Sequence, residues 1–299
     1  MTRPLTGIFL PVVTTFGGSG DLDLNAFAAN LEAHRVGGIA GIVVAGSNGE
    51  APLLEEKERT ALIGTAREIM PESEWLIAGT GAESTRLCIK RCREAAEQGA
   101  DAVMVVSPHY YTPVMTSDAL YAHFSAVADS SPLPVILYNI PKYAHFSFAS
   151  KLVARLSMHG NIVGLKDSSG DLDLLHGYLE SQSGGFTVLT GSGSTLLPAL
   201  EMGARGGVVA VGMFASTLVR DVIDALVRGD RETAAEAQRR LVPLASEIVG
   251  TMGVAGVKAA LDLIGLHGGR VRAPLLPLTA EQREKVSRLL QEAGQASVA

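Results

Sequence analysis

The stretch AVMVVSPHYYTPVMTSDALYAHFSAVADSSPLPVILYN, residues 102–139, holds one complete strand–helix–strand unit. AVMVVS (102–107) is a short β-branched run closed by Ser and Pro, and DALYAHFSAVA (118–128) carries apolar residues at three- and four-residue spacing. PVILYN (134–139) is apolar up to its polar end. Strands that are apolar on both faces belong in a parallel sheet covered by helices, and a crossover of this length joins parallel neighbours.

The same alternation runs outward in both directions. GIFLPVVTT (7–15), GIVVAG (41–46) and WLIAGT (75–80) precede the unit, and NIVGLKD (161–167), FTVLTG (186–191) and GVVAVG (207–212) follow it. Amphipathic segments such as LNAFAANLEAHRV, EEKERTALIGTAREIM and STRLCIKRCREAAEQ lie between them. Eight such units predict an α/β fold, a (β/α)₈ TIM barrel as the catalytic unit over residues 1–229, with the eighth helix ending near Gly229. Residues 230–299 read as a C-terminal appendage of three helices. A doubly wound open sheet is the competing fold, and it lacks its fingerprint because no G-x-G-x-x-G follows the first strand.

Composition narrows the function classes. The chain has 299 residues, 47% of them hydrophobic, enough to build a core without metals or disulfides. It carries 25 basic against 31 acidic residues, a net charge of −6, with no basic run to meet a nucleic acid. No apolar stretch approaches the roughly 18 residues of a membrane span, and MTRPLTGIFLPVVTTF reads as a first strand rather than a signal peptide. Cys88 and Cys92, four apart in CIKRC, fit neither a metal-ligand pair nor a redox CxxC, and read as ordinary helix residues in a reducing compartment. None of the histidines forms an HxH or HxxxH pair, so no metal or other cofactor is expected. A cytoplasmic protein without a nucleic-acid or membrane partner is the expectation.

In a barrel of this kind reactive groups gather at the C-terminal ends of the strands. Lys166 ends the sixth strand in NIVGLKDSSGD, whereas the other six lysines fall on helical patterns or, at Lys142, in a loop. A lysine in a low-dielectric setting gives up its proton more readily and attacks carbonyl carbon as the neutral amine; the alternative is a structural ion pair with Asp167. Tyr138 ends the fifth strand and is either a proton shuttle or a ring capping the core. Tyr110, in the Pro-flanked loop SPHYYTP, is a pocket wall or a subunit contact. Ser47 and Asn48 in AGSNGE form either a tight βα turn or a nest for a carboxylate.

Taken together, GSNGE followed by a helix beginning EEKER, MVVSPHYY, PVILYNIP, NIVGLKDSSGD and the late GVKAALDLIG and RAPL occur in order over essentially the whole chain. This arrangement resembles the dihydrodipicolinate synthase / N-acetylneuraminate lyase superfamily of class I pyruvate-dependent aldolases, and within it 4-hydroxy-2-oxoglutarate aldolase. The resemblance implies that Lys166 forms the imine with a 2-oxo acid and that Tyr138 gives and takes the proton. It implies that Ser47 relays between Tyr138 and Tyr110, the latter reaching into a neighbouring subunit's site. Asn48 replaces the second threonine of the synthases' turn, the Ser-Asn pair being what the hydroxy-oxoglutarate aldolases show, and Ser168, Gly191 and Val209 match positions lining the pyruvate pocket. Where the synthases place a carboxylate-binding arginine two residues past the loop proline, this chain has Tyr143, and a phenol cannot make the bidentate clamp of a guanidinium.

These readings imply a Schiff-base carbon–carbon lyase cleaving 4-hydroxy-2-oxoglutarate to pyruvate and glyoxylate, in a homo-oligomer, a dimer or a homotetramer. The alternatives are condensation of pyruvate with aspartate semialdehyde, as in 4-hydroxy-tetrahydrodipicolinate synthase, a phosphate-binding barrel using GSGS (191–194), and a non-catalytic paralogue that binds an oxo acid.

Overall fold

The computed structural model describes residues 3–35 and 38–295. Its first half runs β1 (Gly7–Pro11), α1 (Leu24–Arg35), β2 (Gly41–Val44), α2 (Glu56–Ile69), β3 (Trp75–Gly79), α3 (Thr85–Glu97), β4 (Ala102–Val106) and α4 (Ser117–Ser130). The second half runs β5 (Val135–Asn139), the short turn α5 (Pro141–Ala144), α6 (Ser150–Leu156), β6 (Ile162–Asp167), α7 (Leu172–Leu179), β7 (Thr187–Thr190), α8 (Leu196–Glu201), β8 (Gly206–Val208) and α9 (Ser216–Val227). All neighbouring strands pair in parallel and β8 returns to β1, so the sheet closes as an eight-stranded barrel.

Alternation along each strand divides the core in two. Phe9, Val43, Ile77, Met104, Ile136, Tyr138, Leu189 and Val208 fill the barrel interior. Leu10, Ile42, Ala78, Val105, Leu137, Leu165 and Val188 face outward into the helix layer. Each strand is thus buried on both sides, which is why the strands read as apolar runs rather than alternating ones.

Several of the sequence-predicted strands are trimmed at their C-terminal ends, whereas β5 and β6 run to their predicted ends at Asn139 and Asp167. Pairing of β1 stops at Pro11, and the expected strand 207–212 ends at Val208, because the chain turns at Ala210–Met213 in a tight 3₁₀ turn. The eighth helix ends at Val227, and Gly229, with φ +75°, takes the left-handed position that follows a helix C-terminus. Cys88 and Cys92 are free thiols buried on the inner face of α3.

Beyond the barrel, α10 (Arg231–Pro243) passes directly into a π-helical segment, Leu244–Thr251, followed by α11 (Gly253–Leu263) and α12 (Ala280–Glu292). Leu241, Leu244, Ile248, Val257, Leu261, Val286 and Leu290 share one apolar core with the barrel's own helices. Among the described residues, no helix is long and apolar enough to cross a membrane.

Two constraints in this core make testable statements. Gly164 on β6 faces a crowded spot, where a Cβ would lie 2.6 Å from Thr187 O and 3.0 Å from Leu5 Cδ2. Gly164→Ala is expected to destabilise the fold by about 1–3 kcal/mol, the usual cost of overpacking, read from the denaturant midpoint. His34 and His123 are buried, and burial pulls the pKa of each down to about 4 from an ordinary 6.5. Below pH 6.5 the unfolded chain therefore binds protons that the folded one refuses. Stability is expected to fall progressively from pH 6.5 to about 4, by about 3 kcal/mol for each histidine, and each of His34→Gln and His123→Gln should flatten that slope.

Candidate active site

The register between β5 and β6 pairs Tyr138 with Lys166 and Asn139 with Asp167. Tyr138 and Lys166 both point into the barrel mouth, at 4% and 3% exposure, with the lysine Nζ 4.0 Å from the centroid of the tyrosine ring. Among the described residues Lys166 makes no salt bridge, so its ammonium or amine meets an aromatic face instead of a carboxylate.

Asp167, the ion-pair partner considered from sequence, lies on the opposite face. Asn139 Nδ2 donates to its Oδ1 at 2.7 Å, while Ser169 donates to it through the backbone N–H at 3.1 Å and the hydroxyl at 2.7 Å. Burial pushes the Asp167 carboxyl above the usual carboxylate range, and these hydrogen bonds pull it only partly back. Strand alternation is the reason the pair does not form: adjacent side chains point to opposite faces.

Space for the lysine comes from β7. A Cβ on Gly191 would collide with Ser168 Oγ and stand 2.9 Å from Lys166 Cε, so only glycine fits there while the lysine keeps its course. The backbone N–H of Gly191 donates to Asp167 O at 2.5 Å, holding the two strand ends together.

Ser47 arrives from the turn after β2. Its hydroxyl lies 3.3 Å from the phenol oxygen of Tyr138. The turn is bounded by two non-glycine residues in the left-handed region, Ala45 at φ 53° and Glu50 at φ 54°, and Thr14 Oγ1 donates to Gly49 O at 2.7 Å. Such strained backbone persists only where its surroundings hold it.

These side chains open on a cavity of about 350 Å³ lined by Lys166, Tyr138, Ser47, Asn48, Ser168, Gly191 and Tyr143. A larger, more apolar cavity of about 590 Å³ adjoins it, with Ser47, Tyr138 and Tyr143 in both walls. Tyr143 and Lys142 sit on α5 at this junction; burial raises the pKa of the Tyr143 phenol and lowers that of the Lys142 ammonium. Lys142 Nζ donates to Gly250 O at 2.6 Å. Among the described residues, no arginine lines the cavity that holds Lys166.

One residue expected in the pocket lies elsewhere, and another, expected to serve a neighbouring subunit's site, faces outward on its own chain. Val209 is buried against the helix layer, and the cavity wall is formed by its neighbours Val208 and Ala210, one step out of phase along the chain. Tyr110 is 76% exposed on the loop after β4, where its backbone N–H donates to Glu83 at 2.9 Å, and it lines neither cavity of its own chain. Conversely, the π-helical segment contributes Ala245, Ser246, Val249 and Gly250 to the wall, which no strand-end reading anticipates. Pro243 inside the helical run is the one signal for that irregularity.

A buried lysine at the end of the sixth strand of a (β/α)₈ barrel, without a salt bridge among the described residues and flanked by a tyrosine and its hydroxyl neighbour, defines a class I, lysine-imine aldolase or lyase. The chain belongs to the dihydrodipicolinate synthetase family, whose model matches residues 4–293. It is 37% identical to 4-hydroxy-tetrahydrodipicolinate synthase of Moorella thermoacetica over 288 residues, covering 96% of this chain and 98% of that one. It is 35% identical to the synthase of Bacillus subtilis over 283 residues, covering 94% and 97%. The crystal structure of a dihydrodipicolinate synthase from Bacillus anthracis superposes with a TM-score of 0.93 at 33% identity, covering 97% of this chain and 99% of that one. YagE, a prophage protein of the same family from E. coli K12 solved in complex with pyruvate, superposes with a TM-score of 0.92 at 30% identity, covering 98% and 100%. The particular likeness to 4-hydroxy-2-oxoglutarate aldolase is not shown by these matches, whose names favour the synthase.

Gly191→Ala is expected to fold yet lose about 10²-fold or more in turnover, because displacing the lysine by about 1 Å spoils the attack geometry. Steady-state kinetics beside a thermal melt checks this.

Proposed function

We propose that this enzyme binds pyruvate as an imine on Lys166 and condenses it with aspartate semialdehyde. The observation that carries the reading is the buried, carboxylate-free Lys166 against Tyr138, itself within reach of Ser47. The names of the relatives support the choice of aldehyde, and the pyruvate bound in YagE supports the choice of oxo acid.

In this reading the Lys166 amine attacks C2 of pyruvate, and the carbinolamine hydroxyl leaves as water with a proton from Tyr138. The iminium then draws electrons from C3, whose proton returns to the Tyr138 phenolate, leaving an enamine. The enamine C3 attacks the aldehyde carbon, the new alkoxide takes a proton, and hydrolysis or cyclisation frees the lysine. Backbone N–H groups of Ser47 and Asn48 hold the C1 carboxylate, and Ser168 shapes the wall opposite. The exposed Tyr110 completes the relay in a second copy of the chain, making the working form at least a dimer.

One observation favours a second reading. Tyr143 stands where a carboxylate-binding arginine would, and Lys142, which lines the same cavity, is already bonded to Gly250 O. Cleavage of 4-hydroxy-2-oxoglutarate to pyruvate and glyoxylate uses the same imine in the opposite direction.

Borohydride reduction in the presence of pyruvate is expected to place a stable adduct on Lys166, located by peptide mapping. Absence of an adduct from folded, assembled protein overturns the imine reading. Turnover of pyruvate with aspartate semialdehyde, against release of glyoxylate from 4-hydroxy-2-oxoglutarate, then decides between the two directions; turnover of neither, with the adduct intact, leaves an oxo-acid-binding protein. Tyr138→Phe is expected to lower kcat by about 10²–10⁴ while the adduct still forms.

A further inference from the structure

Lys258 in GVKAALDLIG and Arg272 in RAPL have no part in the reaction derived above. Both lead back to the Ser47–Asn48 turn. Lys258, on α11, has a side chain 1% exposed, with Nζ 2.6 Å from Oε1 of Glu50, whose own side chain is fully buried. The same Nζ donates to Arg270 O at 2.6 Å. The second carboxylate oxygen of Glu50 accepts the backbone N–H of Arg272 at 2.8 Å. The Arg272 guanidinium in turn meets Glu58 of α2 at 2.6 and 2.7 Å and donates to Leu53 O at 2.8 Å. The Phe16 ring lies under both cations, 4.6 Å from Lys258 Nζ and 4.2 Å from Arg272 Cζ.

Glu50 closes the turn that carries Ser47. It holds a left-handed φ of 54°, and its backbone N–H donates to Ser47 O at 3.2 Å. On the other side, the buried Arg59 donates to Gly79 O at 2.7 Å and Ala51 O at 2.8 Å. Arg59 therefore ties the far end of the turn, at Ala51, to β3, and the Glu50 carboxylate ties the same end to a point outside the barrel. The separation it controls is sensitive: at 3.3 Å, Ser47 Oγ and Tyr138 OH stand beyond the usual O–H···O range of about 2.5–3.0 Å, so a shift of a few tenths of an ångström makes or breaks the relay.

A buried ion pair contributes little stability that an apolar pair of the same shape would not. What an apolar pair lacks is direction, because it cannot aim a carboxylate at one ammonium and one N–H at once. We propose that the Glu50–Lys258 ion pair is a positioning device, through which the C-terminal helices set the 45–51 turn so that the Ser47 hydroxyl meets Tyr138. The inference rests on the pyruvate-imine reading.

The test is exchange of pyruvate methyl protons for deuterium in D₂O without any aldehyde, followed by NMR on the full chain. It reports reversible imine formation and the Tyr138 proton transfer without the aldol step, and borohydride trapping reads the imine separately. Absence of exchange with the wild-type enzyme overturns the functional reading itself. With wild-type exchange established, Glu50→Gln is expected to slow it at least about tenfold, part of the about 10²–10⁴ a positioned proton donor supplies, while borohydride trapping on Lys166 persists. Ser47→Ala should slow it comparably, and the Glu50→Gln/Ser47→Ala chain should be no slower than the worse single variant, since both act through one hydroxyl.

Glu50→Gln leaves Lys258 buried without a counter-charge, so the neutral pair Glu50→Gln/Lys258→Met is measured alongside. That pair is expected to fold and to keep the exchange defect, and it replaces the single variant in the cycle if the latter unfolds. Exchange within about twofold of wild type in either folded variant, or losses that multiply with Ser47→Ala, overturns the proposal.

Discussion

The register of β5 against β6 is the constraint on which the site depends. It pairs Tyr138 with Lys166 on the inner face and Asn139 with Asp167 on the outer face. A slip of one residue would turn the lysine toward the helix layer and bring a carboxylate into the mouth of the barrel. The outer pair opposes that slip: Asn139 donates to Asp167 at 2.7 Å and accepts from Phe148 N at 3.0 Å, so a displaced strand would strand several buried polar groups. The polar pair behind the barrel thereby guarantees the reactive pair in front of it.

Closure of the barrel turns this local register into a chemical environment. Eight strand ends converge on a small mouth, and the residues below, Ile136, Leu189, Met104 and Val208 among them, exclude water from beneath the lysine. Gly191 gives Lys166 its course, and the turn after β2 sets Ser47 against Tyr138. The helices that follow the barrel take part as well, because the π-helical segment walls the cavity and α11 reaches the turn through Lys258.

Much of this is legible in the amino-acid sequence. Eight apolar runs separated by helical periodicity point to the barrel, and a lone lysine at a strand end among seven in the chain points to the nucleophile. The misreadings have a common physical origin in facing. Val209 and Val208 are the same residue type one position apart, and only strand phase within the closed sheet sends the second to the cavity and the first to the helices. Asp167 follows Lys166 directly, which along the chain suggests an ion pair and in a strand forbids one. Tyr110 carries a role only through resemblance, and one chain alone leaves it exposed.

The sequence by itself determined what is local or periodic: the alternation of strands and helices, the class of the fold, and the amine at the end of the sixth strand. Periodicity of two and of 3.6 residues is written along the chain, so it can be read there. Tertiary structure alone decided what depends on contacts between distant residues. The approach of Glu50 to Lys258 from opposite ends of the chain, the crowding that demands Gly191, and the π-helical wall of the cavity have no periodic signature. They exist only once the barrel has closed and fixed which faces meet.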